Sequence, residues 1–454
     1  MSNLMKSSSG LRGVVGRELT PLVIQEFIQS FLLWLPNGPI IIGGDTRTSH
    51  DAIKLFISGI CQLHGRSVID IGRVPTPTVQ QAVRFHGAAG GIAVTASHNP
   101  IEWNGIKIIN ASGSFLSSEE YQEFESIGMK IGSLKLNTWD TIGSSTHDSF
   151  AIDRHIERIQ ASLPVHQLSD SKLKVLVDVN HGAGAIATPK LFDALGMTAT
   201  FLYSEPDGRF SHSPEPLPEN LTELCKQMAE GDYDIGFAQD PDADRLVIVD
   251  NEGRFIGEDY SLAFCMDYYL NQYQLEHPNQ SAQVVVNLST SQIIDWLCQK
   301  YKARLALTKI GEPNVTAKIK ELNAHIGGEG NGGVILPTIG WGRDSLTGII
   351  LALLHLENAN KTVGEIVAAY PAFTMLRDKI PLKTSKQVAN KLLAVQQAFQ
   401  TYEMNTEDGV KVIIDSQQWV HIRPSNTEPI IRIFAESPTP EGAKIWNDDT
   451  ANCE

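Results

Sequence analysis

Asp240, Asp242 and Asp244 alternate with proline and alanine in "GFAQDPDADRLVIVD", between two apolar runs that read as strands. A loop can aim three carboxylates at spacing i, i+2, i+4 toward one hard cation, and oxygen ligands suit magnesium. A solvated acidic turn would have the same composition, but apolar strands on both sides favour a metal site. Calcium is disfavoured: an EF-hand needs glycine at its sixth position and an acidic ligand at its twelfth, where this chain has Arg245 and Asn251. Arg245 sits beside the cluster and can hold an anion against the cation.

Ser97 ends the apolar run of "GGIAVTASHNP". A serine at the end of a strand can be a nucleophile, although the same four residues, "SHNP", also make ordinary turns, and His98 is too close in sequence to be assigned as its base. Downstream, "EWNGIKII" predicts a hairpin turn at Asn104 and Gly105, with Lys107 between isoleucines. That lysine faces a cleft or protects a sheet edge. "GGEGNGGVILP" sets Glu329 and Asn331 among five glycines, where a carboxylate and an amide can bond sugar hydroxyls or simply occupy a loose loop. "RPSNTEPIIR" supplies Arg423, Ser425, Asn426, Thr427 and Arg432, a set that suits phosphate and is also ordinary turn chemistry.

These residues need elements to hold them. "PIIIGGD", "KVLVDVNHG" and "QVVVNLSTS" are each followed by a helical stretch and a second apolar run, "SVIDIG", "TATFLY" and "RLALTKIG". The repeat predicts three related α/β domains with mainly parallel sheets. The tail, with "VKVIID", "WVHIRPS" and "IIRIFAES", predicts a small α+β fourth domain. Turn and proline signals put the domains at 1–148, 149–254, 255–370 and 371–454. The proline-rich segment 205–220 reads as a long loop beside a cleft, and the last residues give no clear pattern.

Length and charge set outer limits. The chain has 454 residues, 42% hydrophobic, with formal charge -15, which opposes nucleic-acid and anionic membrane partners. The five cysteines are scattered with no C-x-x-C pair, so they read as reduced thiols. No signal-peptide core or membrane span is visible, so the expected location is the cytoplasm, as a monomer or homodimer.

Taken together, "SSSGLRG", "TASHNP", "DPDADR", "GEGNGG" and "RPSNTEP", in this order over nearly the whole chain, resemble the α-D-phosphohexomutases. The resemblance implies four domains around a central cleft and an enzyme that interconverts hexose 6-phosphate and hexose 1-phosphate. It further implies that Ser97 is phosphorylated and that Asp240, Asp242 and Asp244, with that phosphate, hold Mg2+. Arg245, Lys107 and Arg12 match residues near the reacting phosphoryl group, and Lys107 is the candidate general acid or base. Glu329 and Asn331 match the sugar-reading loop, while Arg423, Ser425, Asn426 and Thr427 match the clamp for the second phosphate. A hexose 1,6-bisphosphate is the implied intermediate or activator. Two positions depart from the bacterial phosphomannomutase/phosphoglucomutase pattern: Gly333 and Glu312 stand where that pattern has histidines. The motif forms favour glucosamine phosphate as substrate, with mannose or glucose phosphate as the alternative. A metal-dependent sugar phosphatase and a non-enzymatic sugar-phosphate binding protein are the rival classes.

Overall fold

The computed structural model describes residues 4–128, 136–381, 385–425 and 430–453. Its first three domains repeat one chain path. A buried strand (Ile40–Gly44, Val175–Asp178 or Gln283–Asn287) leads through a helix (His50–Leu63, Gly184–Leu195 or Ile293–Lys300) to a parallel neighbour (Val68–Arg73, Ala199–Leu202 or Arg304–Thr308). A third strand (Gly90–Val94, Ile235–Gln239 or Ile326–Glu329) joins the other side of the first, again in parallel. The fourth (Trp103–Asn110, Leu246–Val249 or Gly333–Ile335) turns back antiparallel. Each sheet therefore contains the order second, first, third, fourth. The sheets are mixed: parallel pairs at the centre, an antiparallel strand at one side.

This path explains where the motifs fall. The Ser97, Asp240 to Asp244 and Gly330 to Gly332 segments all occupy the loop between third and fourth strands of their own repeat. That loop leaves the carboxyl end of a central parallel strand, where open α/β sheets bind ligands. Three copies of one chain path thus present three different loop sequences at the same position.

The turn expected at Asn104 and Gly105 lies elsewhere. Both residues are inside the strand Trp103–Asn110, and the chain reverses just before it, with the Trp103 N–H donating to the Pro100 carbonyl at 3.0 Å. Gly105 serves a different need. A Cβ there would stand 2.6 Å from the carbonyl oxygens of Leu11 and Thr95, so glycine lets the flanking backbones close on the strand.

Apolar burial joins the first three domains. One core cluster includes Val79 and Ile109, Ile159 and Leu191, and Ile294 and Leu351, from the first, second and third domains in turn. The helix Ser345–Ala359 carries buried residues all round its first three turns, because it lies inside this cluster. The fourth domain is an antiparallel sheet of Thr374–Pro381, Ile430–Ser437, Trp419–Pro424, Val410–Ile413 and Glu403–Asn405 in spatial order, covered by helices Ser385–Ala398 and Pro440–Asn452. The last helix starts at Thr439, whose hydroxyl accepts from the Gly442 N–H at 3.1 Å, with Pro440 at its first position. Among the described residues, no helix is long and apolar enough to cross a membrane.

Candidate active site

The acidic loop is buried and ordered by its own hydrogen bonds. Asp240, Asp242 and Asp244 are all inaccessible to solvent, and one oxygen from each lies within 4.8 Å of the others. Asp240 Oδ1 accepts from the backbone N–H groups of Asp244 at 3.1 Å and Arg245 at 3.2 Å. Its Oδ2 accepts from Ser97 Oγ at 2.8 Å. Asp242 Oδ2 accepts from the Thr76 hydroxyl and from Lys107 Nζ, the latter at 2.6 Å. Asp244 Oδ2 accepts from Lys107 Nζ at 3.1 Å and Arg343 Nη2 at 2.8 Å. The remaining oxygens, Asp242 Oδ1 and Asp244 Oδ1, are buried without a hydrogen-bond partner among the described residues. Buried carboxylate oxygens without donors are costly, and a hard cation satisfies them. The donor set therefore fits a magnesium ion.

Charges here are strongly interdependent. Burial pushes the Asp240 carboxyl well above its ordinary range, and repulsion from Asp244 and Asp242 adds to it. Burial would also raise Asp244, but Arg343, Lys107 and Arg245 together hold it low. For Lys107, burial is outweighed by Asp242 and Asp244, which raise it. Lys107 is thus a cation in this environment.

Ser97 is 1% exposed and has φ of 50°, a left-handed conformation that costs a serine about 1 to 3 kcal/mol. The surroundings hold it there. Its N–H donates to Thr95 Oγ1 at 2.9 Å. Arg47, fully buried, donates to the carbonyls of Ser97 and Asn99 at 2.6 Å each, Pro100 at 2.7 Å and Trp103 at 2.9 Å. The Arg47 guanidinium is itself braced by Asp45 at 3.2 Å. Arg12 Nη1 donates to Asn99 Oδ1 at 3.1 Å on the other side of the loop. His98 Nδ1 lies 3.4 Å from Ser97 Oγ and accepts from Arg245 Nη2 at 3.0 Å. Burial, then Arg245 and Arg12, push His98 well below its ordinary value, so the imidazole is neutral.

A cleft of about 390 Å³ opens above this layer, with walls from all four domains. Arg12, His98, Arg245, Glu329, Asn331 and Arg432 line it. Ser97 and the aspartates lie behind this lining, Ser97 Oγ 3.4 Å from His98 Nδ1, and Asp240 and Asp244 4.0 and 3.9 Å from Arg245 Nε. Glu329 Oε1 accepts from Asn287 Nδ2 and the Gly311 N–H, both at 2.9 Å, whereas Asn331 Oδ1 is buried with no partner among the described residues. Arg423 is next to Arg432 in the strand register, and its Nε donates to Asp408 at 3.1 Å. The Ser425 N–H donates to the Ile430 carbonyl at 2.9 Å, and Asn426 and Thr427 fall outside the described residues.

Arg47, Thr76 and Arg343 carry no motif signal and were missed in the sequence. An arithmetic hint existed for Arg343: the buried acids of "DPDAD", "KIGEPN" and "GEGNGG" outnumber Lys107 and Arg245.

The chain's matches to known proteins agree with this geometry. Residues 4–134, 153–253 and 257–373 match the alpha/beta/alpha domains I, II and III of phosphoglucomutase/phosphomannomutase, and residues 379–452 match its C-terminal domain. A Methanopyrus kandleri protein named "probable phosphoglucosamine mutase" is 33% identical over 97% of this chain and 96% of its own length. A phosphoglucomutase/phosphomannomutase of Thermococcus kodakarensis is also 33% identical, covering 96% of this chain and 95% of the relative. The crystal structure of a phosphoglucomutase/phosphomannomutase family protein from Burkholderia thailandensis superposes with a TM-score of 0.81 at 25% identity, over 99% of this chain and 97% of the other. With the three motif loops converging on one cleft closed by a fourth domain, the chain belongs to the phosphoglucomutase/phosphomannomutase family of phosphohexomutases.

Proposed function

We propose that this protein isomerises a hexose phosphate by exchanging phosphoryl groups with Ser97. The observation that carries the reading is the Ser97 hydroxyl bonded to Asp240 at 2.8 Å, directly behind His98 and Arg245 in the lining of a cleft that Arg432 also lines. Phosphorylated Ser97 is the donor. A free hydroxyl of the sugar phosphate attacks phosphorus, the bond to the seryl oxygen breaks, and a hexose bisphosphate results. After the sugar turns over, the other phosphoryl group returns to Ser97 and the isomeric monophosphate leaves. That bisphosphate, added from outside, serves as activator.

Each side chain has a stated part. Lys107 is a cation with its ammonium on two carboxylates, which suits donation of a proton to the departing seryl oxygen and opposes a role as base. Neutral His98, whose Nδ1 accepts from Arg245 and whose Nε2 therefore carries the hydrogen, can only donate from its other edge, so the proton of the attacking sugar hydroxyl passes to a phosphoryl oxygen of the group being transferred. A weak base suffices, because phosphoryl transfer proceeds through a loose transition state with little covalent bonding to the attacking oxygen. Arg12 and Arg245 neutralise charge on the transferred group. Asp240, Asp242 and Asp244, with the phosphate on Ser97, would hold Mg2+, which when bound supplies further charge neutralisation at the phosphoryl oxygens. Arg423, Ser425, Asn426, Thr427 and Arg432 clamp the phosphate that is not being transferred.

Glu329 and Asn331 read sugar hydroxyls. Glucosamine phosphate is the favoured substrate, supported by the name of the Methanopyrus kandleri relative, and mannose and glucose phosphates are the alternatives supported by the Thermococcus kodakarensis one. The test compares kcat/KM for glucosamine 1-phosphate, mannose 1-phosphate and glucose 1-phosphate with a bisphosphate activator and magnesium. Preference for mannose or glucose phosphate overturns the sugar assignment. No isomerisation of any of the three overturns the mutase reading.

A further inference from the structure

Around the chemistry lie five buried carboxylates, Asp240, Asp242, Asp244, Glu312 and Glu329. Lys107 reaches only two of them. Arg245 adds only long ion pairs, to Asp240 at 4.0 Å and Asp244 at 3.9 Å, whereas Arg343, 8% exposed, sets each of its three nitrogens on a different acid. Nη2 donates to Asp244 Oδ2 at 2.8 Å, Nε to Glu312 Oε2 at 2.9 Å and Nη1 to Glu329 Oε2 at 2.9 Å. Those acids come from separate elements: the metal loop of the second domain, the first turn of the helix Glu312–Leu322, and the end of the strand Ile326–Glu329.

The backbone at Arg343 is fixed by its neighbours. The Asp344 N–H donates to the Val334 carbonyl at 2.9 Å, and the Asp344 side chain caps the next helix by accepting from the Leu346 N–H at 3.1 Å. Ser345 Oγ donates to the Ala243 carbonyl at 2.7 Å, inside the metal loop itself. Space for the side chain comes from Gly333, where a Cβ would stand 2.2 Å from Arg343 Cδ. Gly333 and Glu312 are thus linked, since one makes room for Arg343 and the other binds it.

We propose that Arg343 is a positioning residue that locks the sugar-reading Glu329 to the metal-ligating Asp244. The proposal rests on the phosphohexomutase reading of the site and goes further, because it makes sugar recognition in the third domain depend on the second. Glu329 Oε1 is held from within its own domain by Asn287 and Gly311, while Oε2 is held by Arg343. With that contact removed, the carboxylate can turn about its remaining bonds, and the hydroxyl-accepting lone pairs lose their aim. Lysine cannot replace arginine here, because one ammonium cannot span three carboxylates on a planar fork.

The experiment is a double-mutant cycle on the full-length protein, read as KM and kcat for the preferred hexose 1-phosphate. Arg343→Lys and Glu329→Gln are each expected to raise KM roughly tenfold, the loss of one charge-assisted hydrogen bond. Their combination should be no worse than the worse single variant, because both disable the same contact. Arg343→Lys combined with Arg423→Ala, on the other wall, should instead give the product of the two effects. Gly333→Ala displaces the Arg343 stem with every charged group retained, and should reproduce the KM rise in a protein of near-normal melting temperature. It keeps the test decisive if Arg343→Lys folds poorly. A structural role alone would lower the melting temperature and the active fraction at unchanged KM, and that result overturns the proposal. So does multiplication of the Arg343→Lys and Glu329→Gln effects. Failure of the mutase reading is distinguishable, since it shows as a wild-type protein that isomerises nothing.

Discussion

On the Ser97 side of the cleft, Ser97, Lys107 and the three aspartates are at most 2% exposed, and the domains that supply them share one apolar cluster. On the other side, the fourth domain keeps a core of its own, with Val395, Val410, Val420, Ile431 and Ile433. Its junction with the third domain includes several polar contacts. His421 bonds Ser289 Oγ at 2.8 Å, Lys411 donates to the Leu288 carbonyl at 2.8 Å, and Asp408 accepts from the Ile310 N–H at 3.0 Å. Arg377 adds ion pairs to Glu258 and Asp259. Separating a shared core exposes apolar surface, whereas polar contacts can be exchanged with water at little net cost. The wall that would do chemistry is therefore rigid, and the wall that would grip phosphate is attached by exchangeable bonds. The bisphosphate of the proposed mechanism, held in two orientations, would use that division.

The largest expected effects lie on the rigid wall. Ser97→Ala should lower kcat by about a thousandfold or more, since the proposed nucleophile is gone. Intact-protein mass should show one phosphoryl group on the wild type after incubation with a sugar bisphosphate, and none on the variant. Full turnover by Ser97→Ala would falsify the assignment. Asp242→Ala should likewise lose most activity while staying folded, and chelation should reversibly abolish wild-type turnover. Unchanged turnover after complete metal removal contradicts the metal site.

Arg47→Lys sharpens the comparison, because it changes no group that touches substrate. The guanidinium gathers four carbonyls of the Ser97 loop, and an ammonium has only three donors. Displacement of the serine by a fraction of an ångström to about 1 Å should cost roughly a hundredfold in kcat with KM little changed. A KM rise with normal kcat would mean that Arg47 supports binding instead.

The exchangeable wall should show the opposite split. Arg423→Ala removes a proposed phosphate contact and should raise KM by about tenfold to a hundredfold, with kcat less affected. Free bisphosphate should also escape during turnover. Normal affinity and no release would place the clamp elsewhere.

How much of this could be read from the sequence follows from the range of the interactions. The three motif loops were legible because each is local: a strand, a short loop and a returning strand keep their chemistry within about ten residues. The repeat was legible because β-branched runs recur with helices between them. Arg47 and Arg343 were not, because their partners are remote; Arg343 joins Asp244, 99 residues away, through a fold that no local pattern encodes. The Asn104-Gly105 turn failed for a related reason. The dipeptide is a strong hairpin signal, but the neighbouring strands needed a glycine there, and the reversal moved to the residues before it. The last helix had its signal in Thr439 and Pro440, just ahead of the segment that gave no pattern.

The smallest predicted effect tests the junction through pH. Burial lowers His421 to about 4, and Lys411 and Arg423 oppose its charging as well, although Asp408 favours it. The Asp408 carbonyl can only accept, so Nε2 carries the hydrogen and Nδ1 accepts from Ser289. His50, in the first domain, is also lowered to about 4, chiefly by burial. An unfolded histidine titrates near 6.5. Between these values each of these two histidines binds more protons in the unfolded chain than in the folded one, so its contribution to stability falls as pH drops from about 6.5 toward 4 and is constant above that window. His421→Gln keeps a donor and an acceptor without titrating. Its melting temperature should fall less steeply than the wild type's between pH 6.5 and 4.5, chiefly in a transition belonging to the fourth domain. His50→Gln should flatten the acid response of the three-domain body instead. If both variants flatten one and the same transition, the junction is not a separate cooperative boundary, and the contrast between the two walls lies in chemistry alone.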